Sequence, residues 1–288
     1  NSVGLRIPAE GTGLQVVTVN NCSVEGLIAG ILNQDGAVTV NGGSVKSTQA
    51  SSSAYAQKIS CGVINGDSAS SEPVVIDLNG VTVYGYTHGI QNRYSGVCNV
   101  NDGVISGPKY GVEHTGATFS MSGNVEITGG TADIFLGSGK TVTIAGKLTG
   151  SDKYTVRTGT APTETTPVQI TTGWEDSGNT KIPFEYYQPG FVVKEMEAST
   201  GKTELFIAMI VPHKHCIYGD SCTLDSCTHE KVTFTTELNS ESLEERSEGS
   251  TMIILTEGSY VLTESIETDK AVLFHGPIDL CLAGDSLT

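Results

Sequence analysis

Short aliphatic phrases recur along the first half of the chain at nearly constant spacing. Each phrase alternates apolar and polar residues, as in Val38-Thr39-Val40 and Ile76-Asp77-Leu78. Alternation at a spacing of two places the apolar residues on one face of a β-strand. The anchors of successive phrases are Val19, Val40, Leu78, Val100, Met121 and Ile144, separated by 21, 38, 22, 21 and 23 residues. A period of about 22 residues predicts a solenoid in which each repeat stacks on the previous one.

Each repeat contains two predicted corners, where the chain turns between strands. The first follows the anchor, where asparagine recurs with glycine after it, and both residue types tolerate left-handed backbone. Its asparagines are Asn20, Asn41, Asn79 and Asn101. The second corner comes about halfway to the next anchor. It reads Gly30-Ile31, Gly62-Val63, Gly89-Ile90, Gly111-Val112 and Asp133-Ile134, followed two residues later by Asn33, Asn65, Asn92, His114 and Leu136. This alternation predicts a right-handed parallel β-helix of about six coils over residues 1–150, its hand following the usual crossover rule.

The regular period ends near Ser151, and the rest of the chain divides by composition. Residues 151–212 are predicted to form a small β-rich module, in which Trp174 plugs a core or the open end of the solenoid. Residues 213–230 form a Cys/His-rich cassette. Residues 231–288 are predicted to form a second β-rich unit, interpreted as the incomplete start of another β-helix. The predicted fold class is therefore all-β.

The net charge of the chain restricts the classes of partner that it is expected to bind. The chain has 16 Lys and Arg against 32 Asp and Glu, a formal net charge of −16. That balance argues against nucleic acid as a partner and against docking on anionic lipid. No apolar stretch is long enough to span a bilayer, so membrane insertion of this segment is not expected. The chain begins without a signal peptide and stops without a cap, which favours a segment of a longer exported protein.

The cassette gathers the densest chemistry in the chain. Its candidate metal ligands are His213, His215, Cys216, Cys222, Cys227 and His229. Zinc takes four such ligands in a tetrahedron, whereas an oxidising environment favours disulfides between the cysteines. Both alternatives stay open, and calcium is a further candidate cofactor. The remaining cysteines within the repeats, Cys22, Cys61 and Cys98, are interpreted as small core or turn residues.

The stacked Asn-Gly and Gly-Ile coils resemble right-handed β-helix proteins of the pectin-lyase-like superfamily. The order of β-helix, Thr/Trp module, His-x-His-Cys cassette and new Tyr-x-Leu-Thr coil also resembles large multi-repeat surface proteins of anaerobic gut Firmicutes. The first resemblance implies a fold that supports different activities in different proteins and no catalytic activity in others. The second implies an exported protein at the cell surface, with no defined reaction.

The resemblance to polysaccharide lyases and hydrolases implies clustered carboxylates and, for lyases, an Arg or Lys base. The exposed strand position between the two inner columns holds one acid, Asp77, with no second carboxylate in the neighbouring repeats. A better candidate patch combines aromatic, cationic and acidic residues on two adjacent coils. Its predicted ligand-binding residues are Tyr84, Tyr86, His88, Arg93, Tyr94, Tyr110 and His114. If the chain is an enzyme, Arg93, His88 and Glu113 are the predicted catalytic residues.

Two functional hypotheses follow. The first is a noncatalytic, extracellular cell-surface segment that serves adhesion or spacing, or that contacts a host or dietary glycan or a surface protein. The alternative is a carbohydrate-active enzyme, either a polysaccharide lyase or a glycoside hydrolase. An acidic surface repels an acidic polysaccharide unless calcium bridges the two, which favours the first hypothesis.

Overall fold

A computed structural model describes residues 2–9, 15–48, 60–68, 70, 72–150, 153–163, 165–209, 213–215, 232–234, 236–239, 242, 252–262, 266–268 and 270–281. The chain divides into two compact units, Asn1–Met209 and Ile210–Thr288. The fold is all-β, as the sequence predicts, and its parallel sheets form a β-solenoid of about 6 turns.

Two parallel sheets build the solenoid. The short-strand sheet pairs, in spatial order, β1 (Val3–Ile7), β4 (Ala29–Asn33), β7 (Cys61–Asn65), β9 (His88–Asn92), β11 (Tyr110–His114), β13 (Ala132–Leu136), β15 (Tyr154–Thr158) and β18 (Phe184–Tyr186). The long-strand sheet pairs β2 (Gln15–Asn20), β5 (Gly36–Asn41), β8 (Val74–Tyr84), β10 (Gly96–Gly107), β12 (Thr118–Gly129), β14 (Val142–Leu148) and β17 (Thr171–Thr172). Strands β3 (Ser23–Gly26) and β6 (Ser44–Ser47) extend the first two coils of this sheet. The chain alternates between the sheets, so each coil adds one strand to each.

The strand register confirms the predicted columns of like residues. Val19 pairs with Val40, and the column continues through Leu78, Val100, Met121 and Ile144. On the short-strand sheet the column is Ile31, Val63, Ile90, Val112 and Ile134. From the second coil onward these side chains are almost completely buried and belong to one continuous core. The hydrophobic effect acting on these columns therefore holds the coils in register.

The Asn-Gly corner is a left-handed turn, as predicted. Residues with positive φ recur at this corner in successive coils: Asn21 at 48°, Gly42 at 65°, Gly80 at 62°, Asp102 at 57° and Gly123 at 76°, and in two coils the next residue, Gly43 or Gly103, is positive as well. Beside them the asparagine side chains form an outer ladder. Asn41 Nδ2 donates to Asn20 Oδ1 at 2.8 Å, and Asn79 Nδ2 donates to Asn41 Oδ1 at 2.9 Å.

Glycine at the second corner is required by packing. A Cβ on Gly62 would lie 2.5 Å from Val83 Cγ1, and one on Gly89 would lie 2.6 Å from Ile105 Cγ2. The space is already filled by the facing strand, so a side chain here would overpack the core. In the coil that follows Gly111, Asp133 stands at this position instead. Its carboxylate accepts the N–H of Gly129 at 2.8 Å and, from Thr155, both the N–H and the hydroxyl.

The solenoid continues past the predicted end of its regular pattern near residue 150. Strands β15, β17 and β18 extend both parallel sheets, although their coils lack the Gly-Ile corner. An antiparallel sheet of β16 (Val168–Gln169), β20 (Thr203–Met209) and β19 (Phe191–Glu197) follows. Trp174 lies before a short 3₁₀ helix, Glu175–Ser177, and is buried in the solenoid core, as predicted. Its Nε1 donates to Glu195 Oε1 at 2.7 Å.

The second unit contains a parallel sheet of its own. Strands β23 (Thr236–Leu238), β24 (Met252–Leu262) and β25 (Ala271–Cys281) pair in parallel around a small core that includes Ile253 and Leu255. Strand β21 (His213–His215) pairs antiparallel with β22 (Val232–Phe234). Across the described ranges of both units, no helix combines the length and the apolar character that crossing a membrane requires.

Candidate functional site

Most of the predicted patch lies on and around strands β9 and β11. The two strands pair with Tyr110 beside His88, Glu113 beside Gln91, and His114 beside Asn92. Because parallel strands keep this register, three of the predicted residues, His88, Tyr110 and Glu113, come together on the outer face of the short-strand sheet. Arg93 reaches the same face from the end of β9 through Gln91, and the other predicted residues lie elsewhere.

A stack of rings occupies the centre of this face. The His88 and Tyr110 rings are stacked with centroids 5.5 Å apart, and Tyr110 stacks on Phe135 at 5.1 Å. Lys109 Nζ lies 5.0 Å from the Tyr110 centroid. His88 and Tyr110 are buried within the stack, and burial raises the pKa of Tyr110 against the opposing effect of Arg157. These two rings therefore stabilise the sheet face and do not offer an open surface for stacking a ligand.

Polar side chains link the predicted catalytic residues along the same face. Arg93 Nη1 lies 3.5 Å from Gln91 Oε1, and Gln91 Nε2 donates to Glu113 Oε2 at 2.7 Å. Glu113 Oε2 lies 3.7 Å from His88 Nε2, beyond hydrogen-bonding distance. Arg93 is held further by a hydrogen bond of 3.2 Å from Nε to Gly66 O. Gln91 thus connects Arg93 to Glu113, whereas His88 lies beside Glu113 without a hydrogen bond to it.

Burial sets the protonation of the groups around His88. It lowers the pKa of His88, an effect that the Glu113 carboxylate opposes and Lys109 reinforces. On the other side of the ring, His88 Nδ1 lies 3.8 Å from Cys61 Sγ. Burial raises the pKa of the Cys61 thiol to about 12. A thiol with that pKa is a poor nucleophile at neutral pH, so Cys61 is a core residue here.

His114 points into the solenoid, away from the predicted patch. It continues an inner ladder of buried asparagines. Asn33 Nδ2 donates to Asn65 Oδ1 at 2.9 Å, and Asn65 Nδ2 donates to Asn92 Oδ1 at 3.0 Å. Asn92 Nδ2 then lies 3.2 Å from His114 Nδ1. Burial, with a smaller effect of Lys140, lowers the pKa of His114 to about 4. The neutral ring is a structural member of the ladder.

The exposed aromatic residues of the predicted patch form two separate groups. Tyr84 and Tyr86, 39% and 41% exposed, lie just before strand β9. Tyr94, 55% exposed, follows the same strand and has the Arg93 guanidinium 5.5 Å from its ring centroid. A strand of five residues spans about 16 Å. We call Tyr84 and Tyr86 the tyrosine ledge.

The long-strand sheet carries a polar row on its outer face. Asn99 Nδ2 donates to Asp77 Oδ1 at 2.7 Å, and Ser120 Oγ donates to Asn99 Oδ1 at 2.5 Å. Thr143 and Thr172 share a hydroxyl hydrogen bond of 3.0 Å in the last two coils. Asp77 is thus paired with an amide in the next coil, and this row uses its polar atoms to link strands.

The predicted metal cassette lies largely outside the described residues. Cys216, Cys222, Cys227 and His229 are not among them, whereas His213 and His215 lie on β21. Within the described ranges, no three His, Cys, Asp or Glu residues are grouped so as to hold a metal. Cys22, Cys61 and Cys98 are free thiols. Cys61 and Cys98 are buried and Cys22 is exposed at the first corner, in agreement with their interpretation as core or turn residues.

Phe135 and Arg157 also lie on the outer face of the short-strand sheet around β9 and β11, which we call the β9–β11 face. The sequence analysis did not predict either residue as part of the site. Both continue the column that contains Gln91 and Glu113. Arg157 also lies over the Tyr187 ring, 5.0 Å from its centroid. The repeat spacing carries this information, since Phe135 follows Ile134 as Glu113 follows Val112.

Comparison of the chain with protein-family models, with curated proteins and with solved structures gives no significant match. The fold description therefore depends on the strand register and the buried columns of this chain alone.

Proposed function

We propose that the chain is a noncatalytic segment of an exported cell-surface protein, related to the pectin-lyase-like β-helices. The solenoid acts as a rigid spacer and contacts glycans through the tyrosine ledge. The observation that carries the proposal is the exposure of Tyr84 and Tyr86 on a backbone fixed by the neighbouring coils. Tyr86 N–H donates to Ser47 Oγ at 2.8 Å, and Thr87 N–H donates to Ser60 O at 2.7 Å.

Fixed, exposed tyrosines suit a sugar for two reasons. Their ring faces cover the apolar C–H faces of a saccharide, and their hydroxyls reach its polar groups. A fixed backbone also lowers the conformational entropy that is lost on binding.

A glycan array followed by calorimetry on the best ligand tests this proposal. We expect the double variant Tyr84→Ala/Tyr86→Ala to bind about thirtyfold more weakly, since each stacked aromatic ring contributes about 1 kcal/mol. Tyr84→Phe/Tyr86→Phe keeps the rings and should retain most of the affinity. Tyr94→Ala, at the far end of β9, is the matched control. Equal loss in the Tyr94 variant, or no glycan binding by the unmodified chain, would contradict the proposal.

The hydrogen-bonded row of Arg93, Gln91 and Glu113, with His88 beside it, favours a carbohydrate-active enzyme as the second candidate. In that case Glu113 and His88 would exchange a proton and Arg93 would bind the substrate's anionic group. Incubation with pectin and alginate, monitored for unsaturated and reducing products, tests this alternative. Activity that is abolished in Glu113→Gln and retained in Tyr84→Ala would replace the first proposal with the second.

Zinc in the cassette 213–229 is also a proposal, with disulfide pairing as its rival and calcium as a further candidate ion. Metal analysis and thiol titration of the purified chain distinguish them. Stoichiometric zinc with titratable thiols after chelation supports a metal site. Absence of zinc, with thiols that react only after reduction, supports disulfides.

A further inference from the structure

A pocket of about 230 Å³ opens where the last long strand of the solenoid meets the segment after the 3₁₀ helix. It is lined by residues 147–150 on one side and by residues 179–181 with Pro183 on the other. The pocket lies outside both the tyrosine ledge and the β9–β11 face, and neither proposed function uses it.

Hydrogen bonds fix both walls of the pocket. Asn179 Oδ1 accepts the N–H of Leu148 at 2.9 Å, and Asn179 Nδ2 donates to Ser177 Oγ at 2.7 Å. On the other side, Tyr154 N–H donates to Pro183 O at 2.7 Å. These bonds tie the two walls to each other and to the last coil. The pocket is therefore preorganised, which lowers the cost of ordering it around a ligand.

The charge of the lining is opposite to that of the chain. Lys147 and Lys181 both line the pocket, and none of its lining residues within the described ranges is Asp or Glu. The whole chain has twice as many acids as bases. Among the described residues, neither lysine takes part in any of the ion pairs observed. Two ammonium groups at one concave site, with no carboxylate among its described lining residues, favour a local positive potential on a chain whose net charge is negative.

We propose that this pocket binds a small ligand bearing an oxyanion, held by Lys147 and Lys181. The oxyanion is a carboxylate, a sulfate or a phosphate ester, groups that accept charge-assisted hydrogen bonds from lysine. The pocket is smaller than the 300–1,000 Å³, roughly, that drug-sized ligands occupy, so the ligand is no larger than about one sugar residue. Leu148 and Pro183 provide apolar contact beside the charged group.

Titration of the full chain, followed by amide NMR and calorimetry, tests the site. The probes are glucose 6-phosphate, glucose 6-sulfate and glucuronate, which distinguish the three oxyanions, with glucose as the neutral control. We expect shifts at the amides of Leu148, Gly150 and Thr180 with at least one anionic probe and none with glucose. Lys147→Gln and Lys181→Gln should each weaken binding about tenfold, the usual size of a hydrogen bond to a charged group.

Lys194→Gln on β19 is the matched control, because it removes one exposed lysine that does not line the pocket. Its affinity should stay within about twofold of the unmodified chain. The proposal is overturned if the double variant Lys147→Gln/Lys181→Gln binds as tightly as the unmodified chain, or if glucose binds equally well. It is also overturned if Lys194→Gln weakens binding as much as the pocket variants, since the anion then responds only to total charge. None of these results depends on the tyrosine ledge.

Discussion

Replacement of His114 by asparagine should remove a large part of the chain's sensitivity to acid. The inner ladder presents a donor to this position, because Asn92 Nδ2 can only donate and lies 3.2 Å from His114 Nδ1. A protonated His114 would present an N–H to that amide, inside a core where its side chain is 1% exposed. The native state therefore holds His114 neutral, and asparagine provides the same acceptor without a charge that can be titrated.

The size of the effect follows from the pKa of His114, which is lowered from 6.5 to about 4 in the folded chain. Between these values the unfolded chain binds the proton more strongly than the folded chain does, so the free energy of unfolding falls as pH falls from 6.5 to 4. One pKa unit corresponds to about 1.4 kcal/mol, which gives a total loss of about 3 kcal/mol. Above pH 6.5 the contribution is constant.

Urea unfolding monitored by tryptophan fluorescence measures this directly. Trp174 is the only tryptophan and is buried in the same core as the ladder. Between pH 7 and pH 4, His114→Asn should lose about 3 kcal/mol less than the unmodified chain, while carboxylates and His88 contribute equally to both. If the two chains lose equal stability over this range, the assignment of His114 as a buried neutral acceptor is wrong.

Three further substitutions test the packing and hydrogen bonding of the solenoid by the same assay. Gly89→Ala should lower the free energy of unfolding by about 1–3 kcal/mol, because its Cβ would lie 2.6 Å from Ile105 Cγ2. Gly146→Ala is the control and should leave the stability almost unchanged, because the nearest atom to its Cβ would be 3.5 Å away. Asn65→Ala should lower the free energy of unfolding by at least about 3 kcal/mol, since Val74 O, Val97 O and Asn92 Oδ1 all lose a buried donor. Asn79→Ala on the outer ladder should lower it by less than about 1 kcal/mol. Equal losses in the two variants would contradict this account. Glu204→Gln should lower the free energy of unfolding by about 1–3 kcal/mol, because the buried carboxylate accepts the N–H groups of Gly173 and Trp174 and the hydroxyl of Thr171. An unchanged unfolding midpoint would show that the charge of this side chain is unimportant.

The columns of the solenoid were predictable from sequence because each depends on a local pattern that repeats. Val40 and Leu78 follow the same alternation, and the glycine after each neighbouring asparagine marks the same left-handed corner. The extension of the sheets through β15 and β18 was not predictable in this way. Its strands are short, the corner glycine is missing, and long connections separate them, so pairing there depends on tertiary contacts such as that between Tyr154 and Phe184.

The candidate site was only partly predictable, for a related reason. The sequence brought His88, Tyr110 and Glu113 together correctly, because all three belong to adjacent repeats. It placed His114 on the surface, although the spacing from Asn92 puts that residue in the inner ladder. The sequence did not indicate how far each of these side chains is exposed to solvent. Whether a ring lies open, as in Tyr84, or under its neighbours, as in Tyr110, depends on packing across coils that a single sequence does not encode locally.

The two asparagine ladders run in opposite directions along the solenoid axis. In the inner row each amide donates to the following coil, from Asn33 towards His114, and in the outer row each donates to the preceding coil, from Asn79 towards Asn20. Aligned amides polarise one another, so each row strengthens as it lengthens. Because the rows oppose each other, their side-chain dipoles offset one another in part. A solenoid that extended both rows equally would gain coils while accumulating little electric moment from its side chains along its length.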